Sequence, residues 1–233
     1  WLTLNLAYGF SFLNPDKGEG KTDYLDLQSH IYTGKFNVDL FAQFYKGYFL
    51  DDYTTSDGQI YVRPDLHVME LGISFQYILN DDKFSFAAAF QNTEYQKKSA
   101  GSPLMGFDIF YGRTTADSSL VPSGFEVETP DYDRLGFLKI GPQVGYVYTL
   151  VFLKNYYLTG AMALAFNGGI YRLKKDDIKD NEYFFSLDLG IRAAAGYNSE
   201  RLNIGAFFVL QRVQTNYNYR NIISTGNIRF IVA

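Results

Sequence analysis

Strict alternation of apolar and polar side chains, sustained over ten or more residues and repeated along the chain, leaves few folds open. Residues 1–13 set Leu2, Leu4, Leu6, Tyr8, Phe10 and Phe12 against Thr3, Asn5, Ala7, Gly9 and Ser11. Residues 69–79 set Met69, Leu71, Ile73, Phe75, Tyr77 and Leu79 against Glu70, Gly72, Ser74 and Gln76. The pattern returns at 183–197, with Phe185, Leu187, Leu189 and Ile191 opposing Ser186, Asp188, Gly190 and Arg192, and again at 202–211. A period of two places successive side chains on opposite faces of a strand. These windows lack the three-and-four spacing of an amphipathic helix, and they are rich in Tyr, Phe, Ile, Val and Gly.

Reading every such segment gives about eleven strands: 1–13, 23–33, 35–50, 68–80, 83–95, 101–114, 135–152, 155–174, 182–197, 200–216 and 221–233. Strands of soluble proteins usually run ~5–6 residues. A tilted strand that crosses a bilayer needs ~9–11, and most of these segments reach that length. The chain's mean hydropathy is −0.15, and polar residues interrupt it too often for the ~20-residue apolar run of a membrane helix. A membrane strand with every second residue polar averages near zero, so low hydropathy and a membrane barrel are compatible. The turns expected between strands are Thr33-Gly34-Lys35, Asn80 to Lys83, Lys154-Asn155 and Asn198-Ser199-Glu200, with longer polar stretches at 51–67, 115–134 and 174–182. No linker divides the chain, so residues 1–233 read as a single outer-membrane β-barrel domain.

The polar face chooses between a sandwich and a membrane barrel. A sandwich would expose Lys, Glu and Thr there. Segment 155–167 instead sets Tyr157, Thr159, Ala161, Ala163, Ala165 and Asn167 against Tyr156, Leu158, Met162, Leu164 and Phe166. Small residues suit a crowded barrel interior. The Tyr pairs 45/48, 146/148, 156/157 and 217/219 are expected to form interfacial girdles. The expectation is therefore an all-β, transmembrane, antiparallel up-and-down barrel in the bacterial outer membrane. Such barrels usually have even strand numbers, so about twelve are expected, eleven of them in this chain. Trp1 opens inside an alternating pattern and the last segment stops without a terminal aromatic, so truncation at both ends is expected.

Loop lengths conflict with this count. With a periplasmic C-terminus, 115–134, 174–182 and 217–220 fall outside the cell and the short turns 154–155 and 198–200 inside, as barrels prefer. In the first half the rule reverses, with short turns 33–35 and 80–83 extracellular and 51–67 periplasmic. Either a strand near 95–101 is miscounted or the barrel carries a large periplasmic loop.

Three stretches, FQNTEYQKKSAGSPLMGFDIFYGRTTADSSLVP at 90–122, YKGYFLDD at 45–52 and RPDL at 63–66, resemble a family of Bacteroidetes outer-membrane proteins defined only as a domain of unknown function. Residues 96–102, QKKSAGS, are the most specific element. The resemblance implies an exported barrel and brings no activity or catalytic residues.

The chemistry-bearing residues are few. Cysteine is absent, which removes disulfides, thiolate metal sites and cysteine nucleophiles. A net charge of −4 supplies no basic stripe for nucleic acid. The side chains expected to line the lumen are Asp26, His30, Asp39, Glu70, Asp108, Lys139, Asp188, Arg192 and Arg229. Buried charges must be paired, so an ion-pair network filling the lumen is expected ahead of a selectivity lining for a narrow pore. His30, with Ser29 beside it, lacks the context of a Ser/His hydrolase site. Asp51-Asp52 and Asp176-Asp177 read as charged loops ahead of a loose Ca²⁺ site. Gly141 and Gly145 lie on a strand and read as lumen positions, not a phosphate loop. The turn Gln96, Lys97, Lys98 and Ser99 is a candidate contact for lipid headgroups, peptidoglycan or a partner protein.

The function expected is that of a non-catalytic barrel, a structural or accessory component of an outer-membrane assembly; a narrow channel for small or hydrophobic solutes is the alternative. No enzyme activity, metal or cofactor is expected. Expected partners are outer-membrane lipids or lipopolysaccharide and other outer-membrane or periplasmic proteins, with no nucleic acid.

Overall fold

The structure is a computed structural model that describes residues 2–8, 20–54, 60–120, 132–175, 178–199, 202–217 and 219–232. Phe10, Phe12, Asp176 and Asp177 lie outside the described residues, as do the side chains of Asp51, Asp52, Tyr217 and Tyr219.

Among the described residues, ten strands form one antiparallel sheet in strictly sequential order. They are β1 (Leu2–Tyr8), β2 (Asp23–Tyr32), β3 (Phe36–Thr54), β4 (Ile60–Ile78), β5 (Ala100–Thr115), β6 (Arg134–Phe152), β7 (Tyr156–Lys175), β8 (Ile178–Asn198), β9 (Asn203–Tyr217) and β10 (Tyr219–Val232). The sheet curls into a barrel-like half-cylinder, far enough that Arg192 on β8 hydrogen-bonds to Tyr32 on β2 across the interior. Pairing is continuous from β1 to β10, and no ladder joins β1 to β10 among the described residues.

The strand expected at 83–95 does not exist. Residues 80–83 turn, and a short helix α1 (Phe86–Phe90) follows. Ser85 caps it, accepting from the Ala88 N–H at 3.0 Å, and three alanines favour the helical turn. Asn92 then takes a positive φ of 54°, a conformation Asn tolerates better than most residues. Alternation at Phe84, Phe86 and Phe90 imitates a strand, but these rings converge on one cluster with Tyr32, Ile78 and Leu104. The eleven expected strands thus become ten.

With the miscount at 83–95 rather than near 95–101, the short turns 33–35, 153–155 and 199–202 fall on one side, and 79–99 remains there as one long connection. The connections at 33–35, 79–99, 153–155 and 199–202 all lie at one end of the sheet, here the turn end. Those at 9–22, 55–59, 116–133, 176–177 and 218 lie at the other, the loop end. Strands also run further toward the loop end than alternation shows. β3 and β4 continue their pairing to Thr54↔Ile60, past an irregularity between Lys46 and Tyr48. Gly47 makes that bulge possible: its φ is +85°, and a Cβ there would sit 2.2 Å from the Lys21 carbonyl oxygen. β8 begins at Ile178, four residues before the segment expected at 182–197, and pairs with β7 as far as Lys175↔Ile178.

Burial is inverted relative to a soluble protein. On β6 and β7 the exposed side chains are apolar, with Ile140 56% exposed and Met162 55%. Lys139, Thr149, Thr159 and Asn167 on the same strands are at most 1% exposed. Leu40, Leu71, Ile73, Phe107, Leu158, Phe166, Phe185 and Phe230 continue the apolar outer surface. Tyr146, Tyr148 and Tyr156 join it near the turn end. Three members of the expected girdle face inward instead, among them Tyr48, which lies against Tyr45 and pairs with the buried Arg63. Tyr157 is buried and donates to Asn92 at 2.8 Å, and Tyr45 stacks on Tyr24 with ring centroids 5.7 Å apart.

Candidate functional site: a filled interior

Because side chains on paired strands share a height, the interior resolves into layers. At the turn end, residues 79–99 fold inward and Phe84, Phe86 and Phe90 pack against Tyr32, Ile78, Leu104, Val147, Ala194 and Phe207. The rings interlock, Phe86 lying 5.3 Å from both Phe84 and Phe90 by centroid. Polar bonds fasten this stopper. Arg229 on β10 donates to the Phe90 carbonyl at 2.6 Å and stacks over Phe207. Asn198 donates to the Glu94 carbonyl at 3.0 Å, and Tyr95 to the Lys154 carbonyl at 2.9 Å.

The middle layers are charged. Asp39 on β3 bonds the His30 Nδ1 at 2.6 Å and accepts from Arg192, which also donates to the Tyr32 hydroxyl. Gln143 on β6 donates to Asp108 at 2.5 Å and Ser74 at 2.9 Å while its carbonyl accepts from Gln76 at 2.7 Å. Lys139 and Asp188 form a buried pair at 2.5 Å, and Asn167 donates to the same Asp188 oxygen at 2.8 Å. Each buried cation therefore faces a carboxylate, the condition for tolerating charge away from water.

Aromatic rings close the next layer toward the loop end. Tyr171 stacks on Phe184 at 4.1 Å and meets Phe137 edge-on, and Phe41 stacks on Phe110 at 6.4 Å. Gly72 and Gly112 leave the room these rings occupy, since a Cβ would lie 2.5 Å from Phe110 and 2.1 Å from Phe137 respectively. Between stopper and rings a cavity of about 40 Å³ remains, bordered by His30, Asp39, Asp108, Gln143, Asp188 and Arg192. At roughly 10–15 Å³ per water, this holds a few waters and no substrate.

A family model described as a domain of unknown function, DUF4421, matches residues 1–233. This chain belongs to the DUF4421 family. No curated protein matches it.

Of the interior residues singled out in the DUF4421 sequence, His30, Asp39, Asp108, Lys139, Asp188 and Arg192 come together in the middle layers. Arg229 instead serves the stopper. Asp26 sits nearer the loop end, accepting from Gln43 at 2.8 Å and from Gln28 at 3.2 Å, and Glu70 is half-buried at a similar height. Ser29 follows the opposite face of β2 from His30. Gln96 is committed to the fold, its amide bridging Ser85, Lys83 and Lys98. Ser99 accepts from the Val151 N–H at 2.9 Å. Lys97 and Lys98 stand exposed at the turn end.

Sequence reasoning missed the stopper itself and a clamp at the loop end. Arg63 holds Asp65 through two bonds of 2.8 and 2.9 Å and donates to the Ser119 carbonyl at 2.8 Å. Asp65 also accepts from the Asp117 N–H and the Ser118 hydroxyl. The paired Arg63 guanidinium holds the Asp65 carboxyl well below the usual carboxylate range. Arg63-Pro64-Asp65, a fork-shaped donor next to a carboxylate, was the available signal.

Proposed function

We propose that this DUF4421 protein is a closed transmembrane β-barrel of the bacterial outer membrane. It acts without catalysis, as a structural or accessory component of an outer-membrane assembly. The observation that carries the reading is the packing of the described interior: buried rings at the turn end, a paired charge network and a second ring layer, with a pocket of about 40 Å³ among the charges. A path for solutes would need continuous polar space, and the Phe86–Phe90 stopper blocks it with side chains that are almost fully buried.

Three features support the membrane setting. Apolar side chains cover the outer face while charges occupy the inner one, the pattern of lipid-facing barrels. A closed barrel would satisfy the backbone donors and acceptors of every strand in hydrocarbon, and the sheet is curled in that direction, bringing Arg192 on β8 to Asp39 and Tyr32 on β3 and β2. Three turn-end connections, at 33–35, 153–155 and 199–202, are as short as the periplasmic turns of such barrels, while 79–99 is long and folds inward; the loop end has the long connections 9–22 and 116–133 beside shorter ones.

Planar-bilayer recording of the purified chain, paired with mild-detergent co-purification from native membranes, tests this. No steady current and a reproducible protein neighbour are expected. Sustained conductance through the unaltered protein would instead favour a narrow channel.

A further inference from the structure

Above the apolar band, at the loop end, the outer face changes character. Arg113 on β5, Arg134 on β6 and Arg172 on β7 surround one surface pocket of about 250 Å³. The register explains the convergence: Arg113 pairs with Gly136, and Gly136 pairs with Arg172. Two guanidinium-bearing positions therefore flank a position without a side chain. A Cβ at Gly136 would meet nothing closer than 3.8 Å, so the glycine leaves an open notch between the arginines. Among the described residues no carboxylate lines this pocket; Asp133 approaches Arg134 from outside it at 3.7 Å.

The notch borders the apolar surface. Tyr111, Leu138 and Ile170 complete its wall, and Leu138 and Ile140 lead from it down the exposed face of β6. Arg113 also borders a second groove of about 450 Å³ lined by Lys46, His67 and one carboxylate, Asp23, while Lys174 on β7 pairs with Arg134 and with Lys179. Guanidinium groups bind phosphate oxygens through forked, bidentate bonds. Three of them around one notch, with an apolar wall continuing below, match a headgroup phosphate whose acyl chains run down the wall.

We propose that the Arg113–Arg134–Arg172 notch binds a phosphate of a phosphorylated glycolipid in the outer leaflet. The inference rests on the membrane reading above, because that reading puts the loop end at the outer surface. Charge complementarity and continuity with the apolar band commit the notch to lipid rather than to free phosphate.

Native mass spectrometry of the full chain in a non-ionic maltoside detergent, offered phosphorylated or dephosphorylated lipid A, tests the proposal. The phosphorylated form is expected to load about tenfold more tightly. The variant R113Q/R134Q/R172Q is expected to lose that preference. Gly136→Leu keeps every charge but fills the notch, so it should lose most of the preference as well. Equal loading of both lipids by the unaltered protein, an unaffected triple variant, or displacement of lipid A by an equal concentration of inorganic phosphate would each overturn the site. The lipid comparison on the unaltered chain stands even if a variant misfolds. Flotation with phosphatidylethanolamine/phosphatidylcholine vesicles separates the two readings: a chain that fails to float removes the membrane setting, whereas one that floats without discriminating removes only the notch.

Discussion

Arg229 on the last strand donates a 2.6 Å hydrogen bond to the carbonyl of Phe90, so the end of the sheet is fastened to a stopper formed 139 residues earlier. The donor is charged and the acceptor lies in a buried cluster, where such bonds are worth about 1.5–3 kcal/mol. Arg229→Met keeps length and apolar contact with Phe207 but removes the donor. It is expected to lower stability by about that amount and to speed proteolysis within 79–99. Urea titration of detergent-folded protein and limited trypsin digestion check both.

The buried pair of Lys139 and Asp188 gives a sharper case. Lys139→Met removes the ammonium that lies 2.5 Å from the buried Asp188, and breaking a buried pair from one side costs about 3–5 kcal/mol. Removing both charges with Lys139→Met and Asp188→Leu should recover most of the loss. A double-mutant cycle by urea unfolding measures this, and additive effects of the two single changes would contradict it.

Much of this was readable beforehand. Alternation located β2, β5 to β7 and β9 within a few residues, because one face meets the apolar outer surface and the other the polar interior. It misread 83–95, since Phe84, Phe86 and Phe90 are apolar for a different reason: they bury into the end of the interior. Ser85 before a run of alanines, Phe86 and Phe90 four residues apart, and the reversed loop lengths all pointed to a helix there. The extensions of β3 past residue 50, of β4 before residue 68 and of β8 before residue 182 were illegible because charged residues and Pro64 there break the alternation. Which inward charges would meet was also hidden, since His30, Asp39 and Arg192 are joined by curvature rather than spacing.

At the loop end, the Asp65 carboxyl is held low by its bonds to Arg63. A group with a depressed folded value contributes stability above its unfolded value of about 3.9, and that contribution is lost as pH falls through the folded value. Residues 116–120 should therefore keep their protection from hydrogen exchange at pH 4 and lose it only in stronger acid. Asp65→Asn should abolish the protection already at neutral pH. Exchange followed by mass spectrometry resolves the segment.

The outer surface makes its own prediction. Ile140 is exposed in the middle of the apolar face, and an arginine at a bilayer midplane costs about 2–4 kcal/mol. Ile140→Arg should weaken folding into phosphatidylcholine vesicles by that much, whereas the apolar exchange Ile140→Leu should leave it nearly unchanged. Vesicle folding that tolerates the arginine would argue against a hydrocarbon environment for this face.

The stopper sits between β4 and β5 in sequence, yet Ala194, Phe207 and Arg229 from the last three strands complete its surroundings. Pairing of neighbouring strands is local in sequence, but Phe86 and Phe90 are covered on their far side only when β8, β9 and β10 have curled round to them, so closing this end depends on the most distant contacts in the chain. Pulse-labelled exchange during refolding should find the amides of 86–91 among the last to be shielded.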